Sequence, residues 1–185
     1  MTYRPPHVDR GSRMIDGPHP ATLDEEDLLA QCELELGRRR GPGGQHRAAV
    51  ASGVHLRHHP TGLEAQATER RSPMANRSKA IFRLRLRLAL KVRTPTSRDR
   101  HQASELWCRR RQGTRMSVNP EHADYPGLLA EALDVIVARR YDLAGAAGVL
   151  GVTMSQLSRL VRHHPPAFVM VNEGREAIGL PRLRS

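Results

Sequence analysis

The 185 residues predict an α+β chain: a small domain of β-sheet and hairpin packed on one long helix, then an all-α domain with a helix-turn-helix-like segment. Three observations carry that expectation. Two runs of alternating apolar and polar residues flank the turn His59-Pro60-Thr61-Gly62, the period of a β-hairpin. The stretch 73–92 follows the cap-like pair Ser72-Pro73 and is rich in Arg, Leu and Ala. The last third spaces its Leu, Ile and Val at helical intervals, interrupted at Gly151 and at Pro165-Pro166.

Taken in order, residues 1–21 hold Pro, Gly, Arg and His without periodicity and read as a flexible N-terminal segment. Leu23 to Leu29 form a short acidic helical turn. Cys32, Leu34 and Leu36 then alternate with Glu33 and Glu35, as in a half-buried strand with Cys32 in its core. Arg38-Arg39-Arg40-Gly41-Pro42-Gly43-Gly44-Gln45-His46 excludes regular structure and marks an exposed loop. Val54, Leu56 and His58 make one arm of the hairpin, and Leu63, Ala65 and Ala67 the other. In the stretch 73–92 the alternation of Leu84, Leu86, Leu88 and Leu90 with arginine fits a strand. Ile81, Leu84, Leu88 and Val92 also share one helical face, and cap, length and composition decide for helix. Residues 93–119 read as a basic linker with a short helix around 103–111. Beyond it, Asp124 or Tyr125 caps a helix opened by Pro126, Asp142 starts a second that ends at Gly151, Thr153 caps a third, and Phe168, Val171 and Ile178 suggest a fourth. The domains expected are 1–21, 22–92, 93–119 and 120–185.

The formal charge is +11, and all its lysines are Lys79 and Lys91, so the basic surface is arginine. Residues 1–36 set three arginines against eight acids; residues 37–119 set twenty basic residues against four acids; residues 120–185 hold seven of each. A central block of that density, with apolar periodicity inside it, predicts a polyanion-binding surface, and arginine pairs bidentately with phosphate. With two Phe, three Tyr and one Trp, base stacking on an aromatic platform is not its mode. No apolar run is long enough to span a membrane, and the N-terminus lacks a signal-peptide core. Cys32 and Cys108 read as free thiols, and the chain as cytoplasmic. The adjacent pairs His58-His59 and His163-His164 have poor metal-ligand spacing, so neither metal nor cofactor is expected.

Gly41-Pro42-Gly43-Gly44-Gln45-His46, then Leu56-Arg57-His58-His59-Pro60-Thr61-Gly62, then Glu69-Arg70-Arg71-Ser72 with Asn76-Arg77, resembles the GGQ domain of class I peptide-chain release factors. The resemblance covers roughly residues 23–92. It implies hydrolysis of the ester joining a nascent peptide to the 3′ end of tRNA, in the peptidyl-transferase centre of the large ribosomal subunit. Carried onto this chain, the backbone N–H of Gln45 meets the charge developing on the ester. The Gln45 side chain shapes a pocket for water, and Gly43 and Gly44 supply the Cβ-free approach. The candidate catalytic residues are therefore Gly43, Gly44 and Gln45. The candidate nucleic-acid contacts are Arg38, Arg39, Arg40, Arg47, Arg57, Arg71, Arg77, Arg109, Arg110 and Arg111. Partners implied are ribosomal RNA, peptidyl-tRNA and a methyltransferase acting on Gln45.

The chain departs from the family at Ala48-Ala49, where Asn and a basic residue usually stand, at Arg39-Arg40, where small residues do, and at Pro73, where Gln commonly does. Codon-reading domains do not fit into 185 residues, so the resemblance points to a stand-alone, codon-independent protein of ribosome rescue. Two other readings stay open. One is a ribosome- or RNA-binding module that no longer hydrolyses. The other is a DNA-binding regulator built on the segment 146–162, in which Ser155, Gln156, Ser158, Arg159 and Arg162 face outward from the recognition-like helix.

Overall fold

The computed structural model describes residues 12–37 and 52–184. In chain order its elements are β1 (Arg13–Met14), a 3-10 turn (Pro20–Thr22), α1 (Glu25–Ala30), β2 (Cys32–Gly37), β3 (Gly53–His58), β4 (Leu63–Ala67) and α2 (Pro73–Lys91). They continue with β5 (Val92–Arg93), α3 (Glu105–Arg110), β6 (Arg111–Gln112), β7 (Arg115–Met116), α4 (Tyr125–Ala138), α5 (Leu143–Leu150), α6 (Met154–Arg162) and α7 (Pro165–Ala177). The chain divides into two compact units, one of residues 23–88, the other of residues up to 22 together with those from 89 onward.

In the unit 23–88, β2, β3 and β4 form an antiparallel sheet in that order. Register runs from Cys32↔His58 to Gly37↔Gly53 on one side of β3 and from Val54↔Ala67 to His58↔Leu63 on the other. Val54, Leu56, Ala65 and Ala67 are buried with Leu28, Ala80, Ile81, Leu84 and Leu88. Arg83 and Arg87 on α2 donate to the Gln66 and Glu64 carbonyls of β4, at 2.7 and 2.6 Å. Their spacing of one helical turn matches two residues of strand, which holds α2 along the hairpin. The turn is closed by His58, fully buried. Its Nε2–H donates to Gln31 Oε1 at 3.1 Å, which leaves Nδ1 to accept from the Thr61 hydroxyl at 2.8 Å. Burial, and then His59 beside it, hold the His58 ring below its ordinary pKa.

The expectation for β2 needs correcting. Leu34 and Leu36 lie opposite the buried Leu56 and Val54, on the same face, yet are 42% and 61% exposed, and Cys32 is only half-buried. Among the described residues β2 pairs on one side only. Alternation reports that a strand has two faces; it does not report whether anything covers an edge.

The other unit holds the larger core. α4 is buried along its whole length, with Leu128, Leu129, Leu133 and Ile136 fully inside. Asp142 and Thr153 cap α5 and α6 by accepting from Gly145 N–H and Gln156 N–H at 3.1 and 3.2 Å. Gly151 ends α5 with φ +67°, the left-handed conformation that glycine adopts most cheaply. Pro165 and Pro166 open α7, where missing amide donors cost nothing. Asp124 stands before α4 without a side-chain cap bond.

Two segments expected to lie outside folded domains belong to this unit. From Arg13 on, the N-terminal segment is anchored: β1 pairs in parallel with β5, and Ile15 N–H donates to the Arg93 carbonyl at 3.0 Å. Ala21 N–H donates to His19 Nδ1 at 3.0 Å, which makes Nε2 the donor to the Val92 carbonyl at 3.2 Å. A two-residue strand has no period to detect. Residues 93–119, expected as a linker, bury Trp107 completely, and its indole N–H donates to the Leu150 carbonyl at 2.9 Å. Glu131 receives Ser104 Oγ–H at 2.5 Å, Ser104 N–H at 2.8 Å and His101 Nε2 at 2.9 Å. Beyond Arg93 the arginines of this segment mark its outside, while Trp107, Ser104 and His101 seat it.

Candidate catalytic loop and nucleic-acid interface

Gly43, Gly44, Gln45, Arg38, Arg39, Arg40 and Arg47 lie outside the described residues. What the structure describes is the pair of roots from which that segment leaves the sheet. Gly37 ends β2, Gly53 begins β3, and the two are register partners. A Cβ at Gly53 would stand 3.0 Å from the Gly37 carbonyl oxygen and 3.1 Å from Thr68 Cγ2, so the close approach of the roots needs glycine there.

The root on the β3 side is held by Asn76, in the first turns of α2. Its Nδ2 donates to the Ser52 carbonyl at 2.6 Å and to the Arg70 carbonyl at 2.9 Å, while its Oδ1 accepts from Arg70 N–H at 2.9 Å. The side chain is fully buried. Ser72 Oγ accepts from Ala75 N–H at 3.3 Å and starts the helix that delivers Asn76. Asn76 stands in the motif Glu69-Arg70-Arg71-Ser72 with Asn76-Arg77, and its role shows only in the fold. Its signal was an amide on the inward side of a helix start, a place where burial demands partners.

The candidate phosphate contacts differ in how free they are. In the unit 23–88, Arg57 sits opposite Glu64 in the hairpin register and lies 3.7 Å from its carboxylate. Arg77 lies 3.4 Å from Glu25, and Arg71 is exposed. Glu69 binds Arg83 Nη2 and lies 3.7 Å from Lys79; the bond from Arg83 is the main reason its carboxyl is pulled down to about 2. In the other unit, Arg110 is taken up internally. Its Nε and Nη2 lie 2.7 and 2.6 Å from Asp124 Oδ2, and Nη2 also meets the His122 ring. Arg109 is far more exposed and only 3.9 Å from the same carboxylate, and Arg111 bonds to the Gly113 and Gly151 carbonyls at 3.0 and 3.3 Å. The run 109–111 thus divides into Arg110, held by a carboxylate, Arg111, exposed but tied to two carbonyls, and Arg109, the most outward of the three.

On α6, Ser155, Arg159 and Arg162 are exposed and Gln156 is partly so, but Ser158 is buried with Leu157, Leu160 and Val161. Ser158 follows Leu157 onto the inner side, where a small hydroxyl lets the helix pack closely. Among the described residues no group of three His, Cys, Asp or Glu could hold a metal ion. No helix among them is long and apolar enough to cross a membrane.

Comparison with known proteins finds peptide chain release factors similar to part of the chain. A chloroplastic peptide chain release factor of Arabidopsis thaliana is 38% identical over 66 residues, 36% of this chain and 14% of that protein. Peptide chain release factor 1 of Caldicellulosiruptor saccharolyticus is 44% identical over 66 residues, 36% of this chain and 18% of its own length. An uncharacterised mitochondrial peptide chain release factor-like protein of Saccharomyces cerevisiae is 42% identical over 74 residues, 40% of this chain and 48% of its own length. The chain therefore spans at most about half of these curated relatives. No solved structure matches. The family described as RF-1 domain matches residues 23–122, more than half of the chain and reaching well beyond α2. With Gly43-Gly44-Gln45 standing between β2 and β3 inside that match, the chain belongs to the RF-1 domain family.

Proposed function

We propose that this chain hydrolyses the ester of peptidyl-tRNA on the ribosome and does so without reading a codon, in rescue of stalled complexes. The observation that carries the proposal is Gly43-Gly44-Gln45 within the RF-1 domain match, in a segment rooted on Gly37, Gly53 and Asn76. Water adds to the ester carbonyl carbon, and the bond from that carbon to the ribose oxygen breaks. The products are the free peptide acid and deacylated tRNA. The Gln45 backbone N–H donates to the oxygen on which negative charge develops. Gly43 and Gly44 let backbone approach the reacting ester where a Cβ would block it. The rest of the environment is ribosomal RNA in the peptidyl-transferase centre, and the outward arginines neutralise its phosphates. Action in the cytoplasm and modification of Gln45 by a methyltransferase belong to the same reading. So does a division of labour in which residues 23–88 carry the chemistry and the remainder positions it.

The test is peptide release from ribosomes carrying peptidyl-tRNA over a truncated mRNA. Gly43→Ala and Gly44→Ala are expected to abolish release at unchanged thermal stability. Release at the wild-type rate removes the segment from the mechanism. Release absent from the wild-type chain, with ribosome binding intact, leaves a non-catalytic binding module.

A further inference from the structure

We propose that α6 and the β6–β7 hairpin form a winged helix-turn-helix surface that docks, independently of sequence, on the phosphate backbones of a double-stranded RNA segment. The choice of RNA rests on the ribosomal reading above; the surface itself rests on geometry. α5, the turn at Gly151 and α6 make the helix-turn-helix, and the hairpin is fixed against its turn and outer helix. Thr153 N–H donates to the Thr114 carbonyl at 3.2 Å. Met116 N–H donates to Gln156 Oε1 at 3.4 Å, and Arg111 Nη1 to the Gly151 carbonyl at 3.3 Å. Between the strand end and α6 runs a cleft of about 190 Å³ lined by Met116, Ser117, Val118, Gln156, Arg159 and His163.

The outward side of this assembly is positive and unbalanced. Arg159 and Arg162 stand one turn apart on the exposed side of α6, and Arg115 is exposed on the hairpin. None of the three has a carboxylate within ion-pair distance among the described residues, whereas Arg110, close by in sequence, does. Neither α6 nor the segment 111–116 contains an acidic residue. Guanidinium groups gathered without counter-charges repel one another, and phosphate relieves that repulsion with bidentate bonds. A helix beside a two-stranded ribbon is shaped to straddle two backbones of a duplex. In A-form RNA the deep groove is closed to side chains, so contacts fall on phosphates and 2′-hydroxyls across the shallow one. Arginine with Ser and Gln, and no aromatic residue on α6, suits that mode.

The experiment measures fluorescence anisotropy of a labelled mixed-sequence RNA hairpin stem with the full chain, across a salt series. Arg159→Glu/Arg162→Glu is compared with Arg182→Glu/Arg184→Glu, which changes net charge by the same amount away from α6 and the hairpin. The first pair is expected to weaken binding at least tenfold and to lower the slope of log K against log salt by about 2. The second is expected to weaken it less than threefold. A scrambled stem should bind alike. Equal losses from both pairs, unchanged affinity, or tighter binding to the matching DNA duplex than to RNA would overturn the proposal. Should the glutamate pair unfold the chain, Arg159→Gln/Arg162→Gln removes the charge alone and is judged by the same criteria. The readout is binding without hydrolysis, so a chain inert in peptide release can pass it and an active one can fail it.

Discussion

Asn76 Nδ2 donates to the Ser52 carbonyl across 2.6 Å, tying the start of α2 to the residue that leads into β3 from the glycine-rich segment. Asn76→Ala would leave that carbonyl and both polar groups of the Arg70 backbone without their buried partner. The expected cost is about 3 kcal/mol, read as a lower urea midpoint. Asn76→Asp keeps the acceptor for Arg70 N–H but sets oxygen against two carbonyl oxygens, and should be no milder. A loss below about 0.5 kcal/mol, the range of neutral surface changes, would show that the root is held by something else.

Stability should depend on acid through two groups that oppose each other. Burial chiefly pushes His19 down to about 4 from 6.5, so its folded form is neutral while the unfolded chain takes up a proton. That contribution is complete above pH 6.5 and is lost as pH falls towards 4. Burial chiefly pushes Asp134 up to about 6 from 3.8, more than Arg93 and Thr94 return. Its contribution is complete below pH 3.8 and is lost as pH rises through 6. Melting temperatures against pH should therefore show a shallow curve for the wild-type chain. His19→Gln should remove the loss on the acid side, and Asp134→Asn the loss on approaching pH 6. Parallel curves for all three would contradict both assignments.

Gly174→Ala should destabilise the chain although alanine is the better helix former by about 1 kcal/mol. A Cβ at Gly174 would collide with the Tyr141 ring at Cζ. That ring is buried, and its backbone is already committed to φ +59° with Arg140 at +55° before it. Arg175 Nη1, the next residue on α7, donates to the Tyr141 carbonyl at 2.6 Å. Overpacking of this kind costs about 1–3 kcal/mol, and thermal unfolding should show the net loss. A gain in melting temperature would mean that the corner moves aside.

The three consecutive arginines should separate when replaced singly. Arg110→Ala gives up the half-buried pair with Asp124 and should lower stability by about 1 kcal/mol, whereas Arg109→Ala should change it by less than about 0.5 kcal/mol. Ribosome affinity should respond in the opposite order, falling more for Arg109 and Arg111 than for Arg110. Unfolding curves and sedimentation with ribosomes check the two halves. Reversed ranks would return Arg110 to the binding surface.

The hairpin, the long helix and the helix caps were legible because each follows from a local rule. Alternation around a Pro/Gly turn, Asp142 and Thr153 before helices, and Gly151 after one all act within a few residues. What escaped depends on distant partners. Leu34 and Leu36 carry a strand's pattern, but their exposure depends on what lies over the sheet edge. Trp107 is one residue in a basic stretch, and its seat is a carbonyl 43 positions away. Asn76 reaches a carbonyl 24 positions back, and only the fold makes that pairing obligatory. For the candidate residues Gly43, Gly44 and Gln45 the motif alone is legible, and the structure adds only the roots at Gly37, Gly53 and Asn76.

The parallel pairing of Arg13–Met14 with Val92–Arg93 also sets an order of events during synthesis. β1 emerges early but has no partner strand until the residues after α2 have left the exit tunnel. Residues 23–88, by contrast, hold all three described strands of the β2–β3–β4 sheet and can collapse as soon as α2 appears. The segment up to residue 22 must wait, unpaired, while that inserted module folds.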